Sequence, residues 1–359
     1  MNEVSVNSDY NYRFSACRLM QGGRHQYISS VPYKILRKLF PKIFEESALK
    51  RSQRELNKKH ASDVGNYIYD AAFRATPYIL PTLVASIDGE CFFEPASGQE
   101  SVGILNVPME TEISCFDGQH RIEGIFQAIS RMKIEDSISV LFVADTTIQI
   151  RQQFFSDINK NSLKPSKSLC MAYDRKNATE RSVFSLYEAL NRPGFIDLDH
   201  NVVPATSNNS LSYKQFYDAT RLMFDSKIPS VDFNDFLHLG SEYWKHWFTA
   251  MQYDHNFKTG STVDYKKSYI GYHGIFVTAW AMTVARLRKH NEYDDYQITA
   301  AMHHFWINFG AEKFKREAWY GICVDEKTKR IDLSVESKLS VTDLFYDVIE
   351  KKLLELKRQ

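Results

Sequence analysis

The spacing of apolar residues divides the chain into two halves with different patterns. Short β-rich segments recur in the first half, namely RFSACRLM, TLVASI, VGILNV, TEISCF and SISVLFVA. Helical patterns lie between them, as in the helix predicted from about residue 118, in which Ile122, Ile125 and Ile129 share one face. This mixture predicts a compact α/β or α+β domain over residues 1–165.

Long helical patterns dominate the second half of the chain. They cover about 178–191, 211–225, 232–252, 268–290, 294–309 and 340–357. In this half IDLSV near residue 331 is the segment that resembles a strand. The pattern therefore predicts a mostly helical second domain over residues 166–359.

Glycine and proline positions predict three local features of the first domain. Gly22 and Gly23 permit a tight turn after the first strand, and Asp88-Gly89 favours a two-residue hairpin turn between TLVASI and ECFFEP. SSVPYKILRKLF is typical of a helix, with Ser30 as its cap and Pro32 in its first turn.

Composition and cysteine usage indicate a reduced, cytoplasmic globular protein. Hydrophobic residues make up 43% of the chain, and its five cysteines form no C-x-x-C pair. The start has no signal-peptide pattern, and the most apolar window, residues 270–287, is better explained as a buried helix than as a membrane span. Cys115 fits either a reactive thiol or a small buried hydrophobe.

Charge is balanced overall at +1 but is locally basic in two runs, at residues 34–59 and 160–181. Such runs hold phosphate backbones in nucleic-acid-binding proteins, and they also occur as solvated helix faces. The candidate DNA contacts are Lys34, Arg37, Lys38, Arg51, Arg54, Lys58, Lys59, Lys164 and Lys167.

The strongest chemical signal is DGQHR, residues 117–121, where a strand is predicted to turn into a helix. The free N–H groups at the start of a helix attract anions, and Gly118 lets a phosphate approach them. Arg121 offers a planar donor fork, and His120 can donate or transfer a proton. Asp117 either caps the helix or holds a metal ion. In the alternative interpretation, Asp117 is a simple N-cap and the next three residues form an exposed first turn.

The pentad resembles the signature of the DGQHR-domain proteins, among them the DndB family of DNA phosphorothioation systems. The similarity extends to the element around Gln21 to Arg24, the helix containing Arg54, and FSDINKNSLKPSKSL at 155–169. Gly118, His120 and Arg121 also resemble the G-x-H-R element of the ParB and sulfiredoxin superfamily, which implies a ParB/sulfiredoxin-like first domain. Sulfiredoxin has its reactive cysteine where this chain has Gln119, so sulfinate repair is not expected.

The resemblance implies a DNA-binding regulator that represses the sulfur-modification operon from its promoter and carries an ATP-binding, ATP-hydrolysing site, with Mg²⁺ as a further expectation. Related phage-defence nucleases carry DGQQR, and by that similarity Asn159, and with it Asn161, returns to the phosphate site; a plain helix end explains both asparagines equally well. The implied catalytic residues are Asp117, His120 and Arg121, the nucleotide-binding residues are Gly118, Gln119, Arg121, Asn159 and Arg24, and the metal ligand is Asp117.

Two other functions stay open on the sequence alone. One is a nucleotide-dependent DNA nickase with Asp117 on a divalent metal and His120 as general acid or base. The other is an interaction module that recruits other phosphorothioation proteins through the aromatic residues of the helical half, which core packing explains better. A repressor that reads a palindromic operator would favour a homodimer.

Overall fold

The computed structural model describes residues 10–41, 57–144, 147–160, 164–192, 194–251, 258, 262–289, 293–309 and 311–357. The chain divides into two compact units, Met1–Leu163 and Lys164–Gln359. The sequence predicts a boundary between residues 165 and 166, close to this division.

A mixed seven-stranded sheet forms the centre of the N-terminal unit. Its strands are β1 (Asn11–Gln21), β2 (Arg24–Pro32), β3 (Leu83–Asp88), β4 (Phe92–Pro95), β5 (Val102–Pro108), β6 (Glu112–Asp117) and β7 (Ser137–Ala144). They are arranged in the order β4-β5-β1-β2-β7-β3-β6, and β3 and β7 are the parallel pair in an otherwise antiparallel sheet. The predicted α+β class is confirmed.

Four helices accompany this sheet: α1 (Tyr33–Leu39), α2 (Lys58–Phe73), α3 (Gln119–Arg131) and α4 (Ile148–Lys160). Helices α1 and α2 both pack against α3. A Cβ atom at Gly124 would lie 2.9 Å from the Ala61 carbonyl oxygen, so the α2 and α3 backbones approach closely. The apolar side chains of α3, Ile122 and Ile125, share a core with Cys115 and Phe142 of the sheet.

Two of the predicted turns have opposite outcomes. Gly22 and Gly23 have φ values of +58° and +73° and join β1 to β2 as a two-residue hairpin, as predicted. The Asp88-Gly89 hairpin is wrong, because β3 pairs with β6 and β7 whereas β4 pairs with β5. Four side chains of β3, those of Leu83, Ala85, Ser86 and Ile87, are fully buried, and burying them between β7 and β6 outweighs the local turn preference.

The cap predicted for α1 is also wrong. Ser30 lies within β2, and its hydroxyl donates to the Ser137 hydroxyl of the neighbouring strand β7. Strand β2 runs on to Pro32, which occupies the N-cap position of α1 without a side-chain cap. Residues 30–32 therefore form the end of β2, paired with β7, although the local sequence favours the start of a helix there.

The C-terminal unit is mostly helical, as predicted. Its helices are α5 (Lys167–Tyr173), α6 (Ala178–Leu190), α7 (Tyr213–Met223), α8 (Phe233–Ala250), α9 (Thr262–Ser268), α10 (Gly274–Lys289), α11 (Asp295–Phe309) and α12 (Val335–Lys357), with a parallel pair of two-residue strands, β8 (Ile196–Asp197) and β9 (Leu211–Ser212). The strand predicted near residue 331 is wrong, since Ile331 makes an isolated bridge with Val324. No helix of the described residues has the length and apolarity needed to cross a membrane.

Aromatic residues of the helical half lie in its core. Trp244, Trp247 and Trp280 are fully buried, and Phe195 packs against Trp244 and Phe248 with ring centres 5.8 and 4.5 Å apart. The core interpretation of these aromatics is therefore confirmed. Helix α10, which contains most of the apolar window at 270–287, is buried in the same core.

Candidate functional site

The predicted change from strand to helix occurs within the pentad. Strand β6 ends at Asp117, Gly118 has φ +113°, and α3 begins at Gln119. A Cβ atom at Gly118 would lie 2.4 Å from Cδ2 of the buried Leu83. Glycine is required here for two reasons, the backbone angle and the absence of space for a side chain.

Asp117 and Arg121 form an ion pair across this junction. The Arg121 Nη2 atom donates to Asp117 Oδ2 at 2.6 Å, and Nη1 donates to the carbonyl oxygens of Pro81 at 2.9 Å and Thr82 at 2.7 Å. The Arg121 side chain is 16% exposed and that of Asp117 is 26% exposed. The guanidinium group thereby ties the start of α3 to the segment that enters β3.

This pair changes the interpretation of Asp117. The N-cap of α3 is Gly118, which has no side chain to cap with, so the prediction that Asp117 caps the helix is wrong. The Asp117 carboxylate instead accepts from Arg121. Within the described parts of the chain, no group of three or more His, Cys, Asp or Glu side chains is arranged to hold a metal ion.

His120 contacts the start of α2. Its Nε2 atom accepts a hydrogen bond from the Asn57 backbone N–H at 2.9 Å, and the rings of His120 and His60 lie 5.0 Å apart. Asn57 is itself the N-cap of α2, with its side-chain oxygen accepting from the His60 N–H. His120 thereby links the first turn of α3 to the N-terminus of α2.

Gln119 is buried rather than exposed, and its side-chain oxygen has no hydrogen-bond partner in the described structure. The interpretation of residues 119–121 as an exposed first turn is therefore wrong. An unpaired amide oxygen costs about 1–3 kcal/mol when buried. Gln119 is thus a member of the pentad whose buried side-chain oxygen is left without a donor.

Cys115 is buried two residues before the end of β6. Its Sγ atom donates to the Asp117 carbonyl oxygen at 3.2 Å, and burial raises the pKa of its thiol to about 12. A thiol in this state is not nucleophilic near neutral pH. The interpretation of Cys115 as a small buried hydrophobe is confirmed.

Alkylation by iodoacetamide at pH 8 should distinguish the exposed cysteines from the buried Cys115. Cys17 and Cys170 are exposed and should be modified in the native protein, whereas Cys115 should be protected until the chain is unfolded in urea. Mass spectrometry of tryptic peptides measures the extent at each site. Modification of Cys115 in the folded protein at the rate of Cys17 would contradict this account.

The other predicted nucleotide-binding residues lie on different elements. Asn159 is exposed near the end of α4, and its Nδ2 atom donates to the Phe155 carbonyl oxygen of the same helix at 2.8 Å. Arg24, at the start of β2, lines a cavity of about 690 Å³ bordered by α4. The position of Asn161 lies outside the described residues.

The basic residues predicted to contact DNA fall into three groups. Lys34, Arg37 and Lys38 are exposed on α1, and Lys58 and Lys59 are exposed in the first turn of α2. Lys164 and Lys167 are exposed in the C-terminal unit, before α5 and at its first residue. Arg51 and Arg54 lie outside the described residues.

Sequence reasoning missed a second set of polar side chains, on the sheet face that α4 borders. Arg151 of α4 forms an ion pair with Asp88 and donates to the Ser86 hydroxyl at 3.2 Å. Gln26 of β2 is buried on the same face with its side-chain oxygen unpaired. The sequence contained a signal for this set. Successive side chains of a strand point to opposite faces of the sheet, so Gln26 of HQYISS is predicted to point away from the face that carries Tyr27.

Comparison with protein families gives a match that spans nearly the whole chain. The family model DndB, described as DNA-sulfur modification-associated, matches residues 14–354. No curated protein and no solved structure matches the chain. The match covers the pentad, the sheet and the helical half together, and the chain therefore belongs to the DndB family of DNA-sulfur modification-associated proteins.

Proposed function

We propose that this DndB-family chain is a DNA-binding regulator of a DNA phosphorothioation system. It holds duplex DNA through exposed basic side chains, those of Lys34, Arg37 and Lys38 on α1 and those of Lys58 and Lys59 on α2. The observation that carries the proposal is that residues 10–41 contain six Lys and Arg side chains and no Asp or Glu. The charge of this segment is therefore not balanced from within, although the whole chain is nearly neutral.

The local geometry keeps these charges at the surface. Tyr33, Leu36 and Leu39 of α1 are buried, so the intervening Lys34 and Lys38 point away from the core and lie one turn apart. The Arg37 guanidinium lies over the ring of Phe126 of α3, 5.8 Å from its centre. The two lysines are flexible, and the arginine between them is held by an aromatic ring. This arrangement is suited to binding successive phosphates of a DNA backbone.

Phosphate contacts supply affinity and register, and they do not read sequence. We therefore assign to this surface the binding of the duplex backbone. Repression follows from occupancy, because a protein bound across a promoter excludes the transcription machinery.

The lysines of α1 provide the test of DNA binding. Lys34→Ala/Lys38→Ala should weaken binding to duplex DNA by roughly tenfold or more at moderate salt, equally for the operon's promoter and for an unrelated duplex of the same length. Fluorescence anisotropy with labelled duplexes measures both affinities.

The matched control removes two lysine charges from elsewhere on the molecule. Lys133 and Lys227 have exposed side chains, 84% and 73%, and each pairs with a nearby carboxylate. Lys133→Ala/Lys227→Ala should bind DNA as the unmodified protein does. Equal losses in the two double variants would show that net charge, not the α1 surface, sets the affinity.

Nucleotide chemistry at the pentad has less support than DNA binding. The Arg121 guanidinium and the Asp117 carboxylate are engaged with each other, and His120 Nε2 accepts from Asn57. A phosphate at the start of α3 would meet main-chain N–H groups and Gln119 but not an available arginine fork. We therefore do not assign ATP hydrolysis, Mg²⁺ binding or DNA nicking to Asp117, His120 and Arg121.

A further inference from the structure

A cavity of about 690 Å³ lies in the N-terminal unit and is lined by the sheet and by α4. Its size falls within the range of small-molecule sites, about 300–1,000 Å³. Phe116 of β6 lines it, whereas the preceding residue, Cys115, faces the core that contains α3. Because successive side chains of a strand point to opposite faces, the cavity and the helix of the pentad lie on opposite faces of the sheet.

The cavity extends across four neighbouring strands of the sheet. Four strands side by side span about 14 Å. Phe116 and Val143 are buried, but they line this cavity and are not members of the core that contains α3. The four strands contribute, in their order in the sheet, Gln26 on β2, Val143 on β7, Val84 on β3 and Phe116 on β6. The cavity is therefore long enough for an extended ligand.

Helix α4 supplies the opposite wall of the cavity. Ile150, Phe154 and Ile158 line the cavity at intervals of four residues, so they cover about 12 Å along one face of the helix. These side chains are incompletely covered. Ile158 is 38% exposed, whereas Ile122 and Ile125 of α3 are fully buried. The apolar face of α4 therefore has contact area left for an apolar ligand.

The sheet side of the cavity is polar at one end and apolar at the other. Gln21 and Gln26 line the cavity from β1 and β2. Val84 and Phe116 line it from β3 and β6, at the far end. Such a gradient suits an elongated molecule with a polar head and an apolar tail.

Gln26 indicates what the polar head carries. Its side chain is only 7% exposed, and its side-chain oxygen has no hydrogen-bond partner among the described residues. Folded proteins seldom leave a buried amide oxygen unpaired. A head group with an N–H or O–H donor would satisfy this oxygen.

The charges of the lining residues indicate a neutral ligand. Arg24 and Asp157 line the cavity with one formal charge of each sign, so the lining has no net charge. The Asp157 carboxylate also accepts a hydrogen bond from the Gln153 side chain at 2.7 Å. An ionic ligand would lose its hydration here without gaining a surplus of opposite charge.

We propose that this cavity binds a neutral amphiphile, a medium-chain amide or alcohol. Its hydrocarbon chain lies between α4 and the sheet with its end near Phe116, and its head group donates a hydrogen bond to the Gln26 side-chain oxygen. The ligand is neither DNA nor a nucleotide, so the site goes beyond the proposed function. Lys34→Ala/Lys38→Ala should bind it as the unmodified protein does, which separates a failure of DNA binding from a failure of this site.

Isothermal titration of the full-length protein with octanamide, hexanamide and 2-nonanone tests the site. Octanamide should bind saturably and roughly tenfold more tightly than hexanamide, because its chain has two more methylenes to bury. In 2-nonanone a methyl group replaces the NH₂ group of octanamide, so the chain is the same and the donor is absent. ATP added in excess should leave octanamide binding unchanged.

Two variants locate the ligand within the cavity. Gln26→Leu should lower the ratio of octanamide affinity to 2-nonanone affinity by about tenfold or more, because the amide loses its acceptor and the ketone loses nothing. Gln99→Leu, the same change at an exposed position, should leave the ratio unchanged. Val84→Phe fills part of the cavity and should weaken octanamide binding by about tenfold or more, whereas Val102→Phe, on the exposed part of β5, should not.

Thermal unfolding without ligand checks that these effects are not misfolding. Gln26→Leu should unfold at a temperature equal to or above that of the unmodified protein, because it removes an unpaired buried oxygen. The comparison of octanamide with hexanamide needs no variant and decides even if one fails to fold. The proposal is overturned by absence of saturable octanamide binding, by equal affinity for the two amides, by an unchanged affinity ratio in Gln26→Leu, by unchanged octanamide binding in Val84→Phe, or by ATP that displaces octanamide.

Discussion

Replacing Gly118 with alanine is expected to lower the free energy of unfolding of the N-terminal unit by about 3 kcal/mol. Two costs add. The backbone angle of φ +113° is one that side chains with a Cβ atom rarely adopt, and the new Cβ would lie 2.4 Å from the Leu83 side chain. Leu83 is fully buried in the core and has little room to move away.

Gly98→Ala is the matched control for this variant. Gly98 also has a positive φ, +75°, but no heavy atom lies within 4 Å of the position its Cβ would occupy. Its replacement should cost about 1 kcal/mol, from the backbone alone. Urea denaturation of both variants measures the difference. If Gly118→Ala cost no more than Gly98→Ala, the close approach of Leu83 would not constrain the pentad.

Replacing Arg121 with alanine is the second change with a large expected effect, a loss of about 2–3 kcal/mol of unfolding free energy. The variant leaves a largely buried Asp117 carboxylate without its partner, and it leaves the carbonyl oxygens of Pro81 and Thr82 without donors. Arg121→Lys should recover only part of the loss, because a lysine ammonium cannot reproduce the fork that spans three acceptors.

An exposed arginine pair in the same unit provides the comparison. Arg13 and Glu94 approach to 3.8 Å with side chains 65% and 58% exposed. Arg13→Ala should cost less than about 1 kcal/mol, as exposed ion pairs do. Chemical denaturation of the three variants gives the order. An Arg121→Ala variant as stable as Arg13→Ala would mean that Arg121 is not a structural tie and is available for a ligand.

Local patterns were sufficient for the parts of the fold that depend on neighbouring residues. The hairpin at Gly22-Gly23, strand β7 over SISVLFVA and the change from strand to helix at Gly118 all follow from short-range preferences. The Asp88-Gly89 turn failed because a strand's partners are chosen across the whole sheet. The prediction that Ser30 caps α1 was wrong for the same reason, since β2 continues past Ser30 and pairs with β7.

The pentad shows a similar limit for functional residues. The sequence of the pentad predicted hydrogen-bond donors available to bind an anion. An arginine and a histidine at the start of a helix are unfavourable unless a negative group is near. The negative group that Arg121 contacts is Asp117, four residues earlier in the pentad itself. That spacing was visible in the sequence, whereas the carbonyl oxygens of Pro81 and Thr82 and the Asn57 N–H come from distant segments that only the fold brings near.

The salt dependence of duplex binding tests the central claim, that the basic surface of α1 holds DNA phosphates. Plotting the logarithm of the DNA association constant against the logarithm of salt concentration gives a slope of about −0.9 for each phosphate contact. Lys34→Ala/Lys38→Ala should make that slope shallower by about 2, while Lys133→Ala/Lys227→Ala leaves it unchanged. A slope that is the same in the unmodified protein and in the α1 variant would contradict the account.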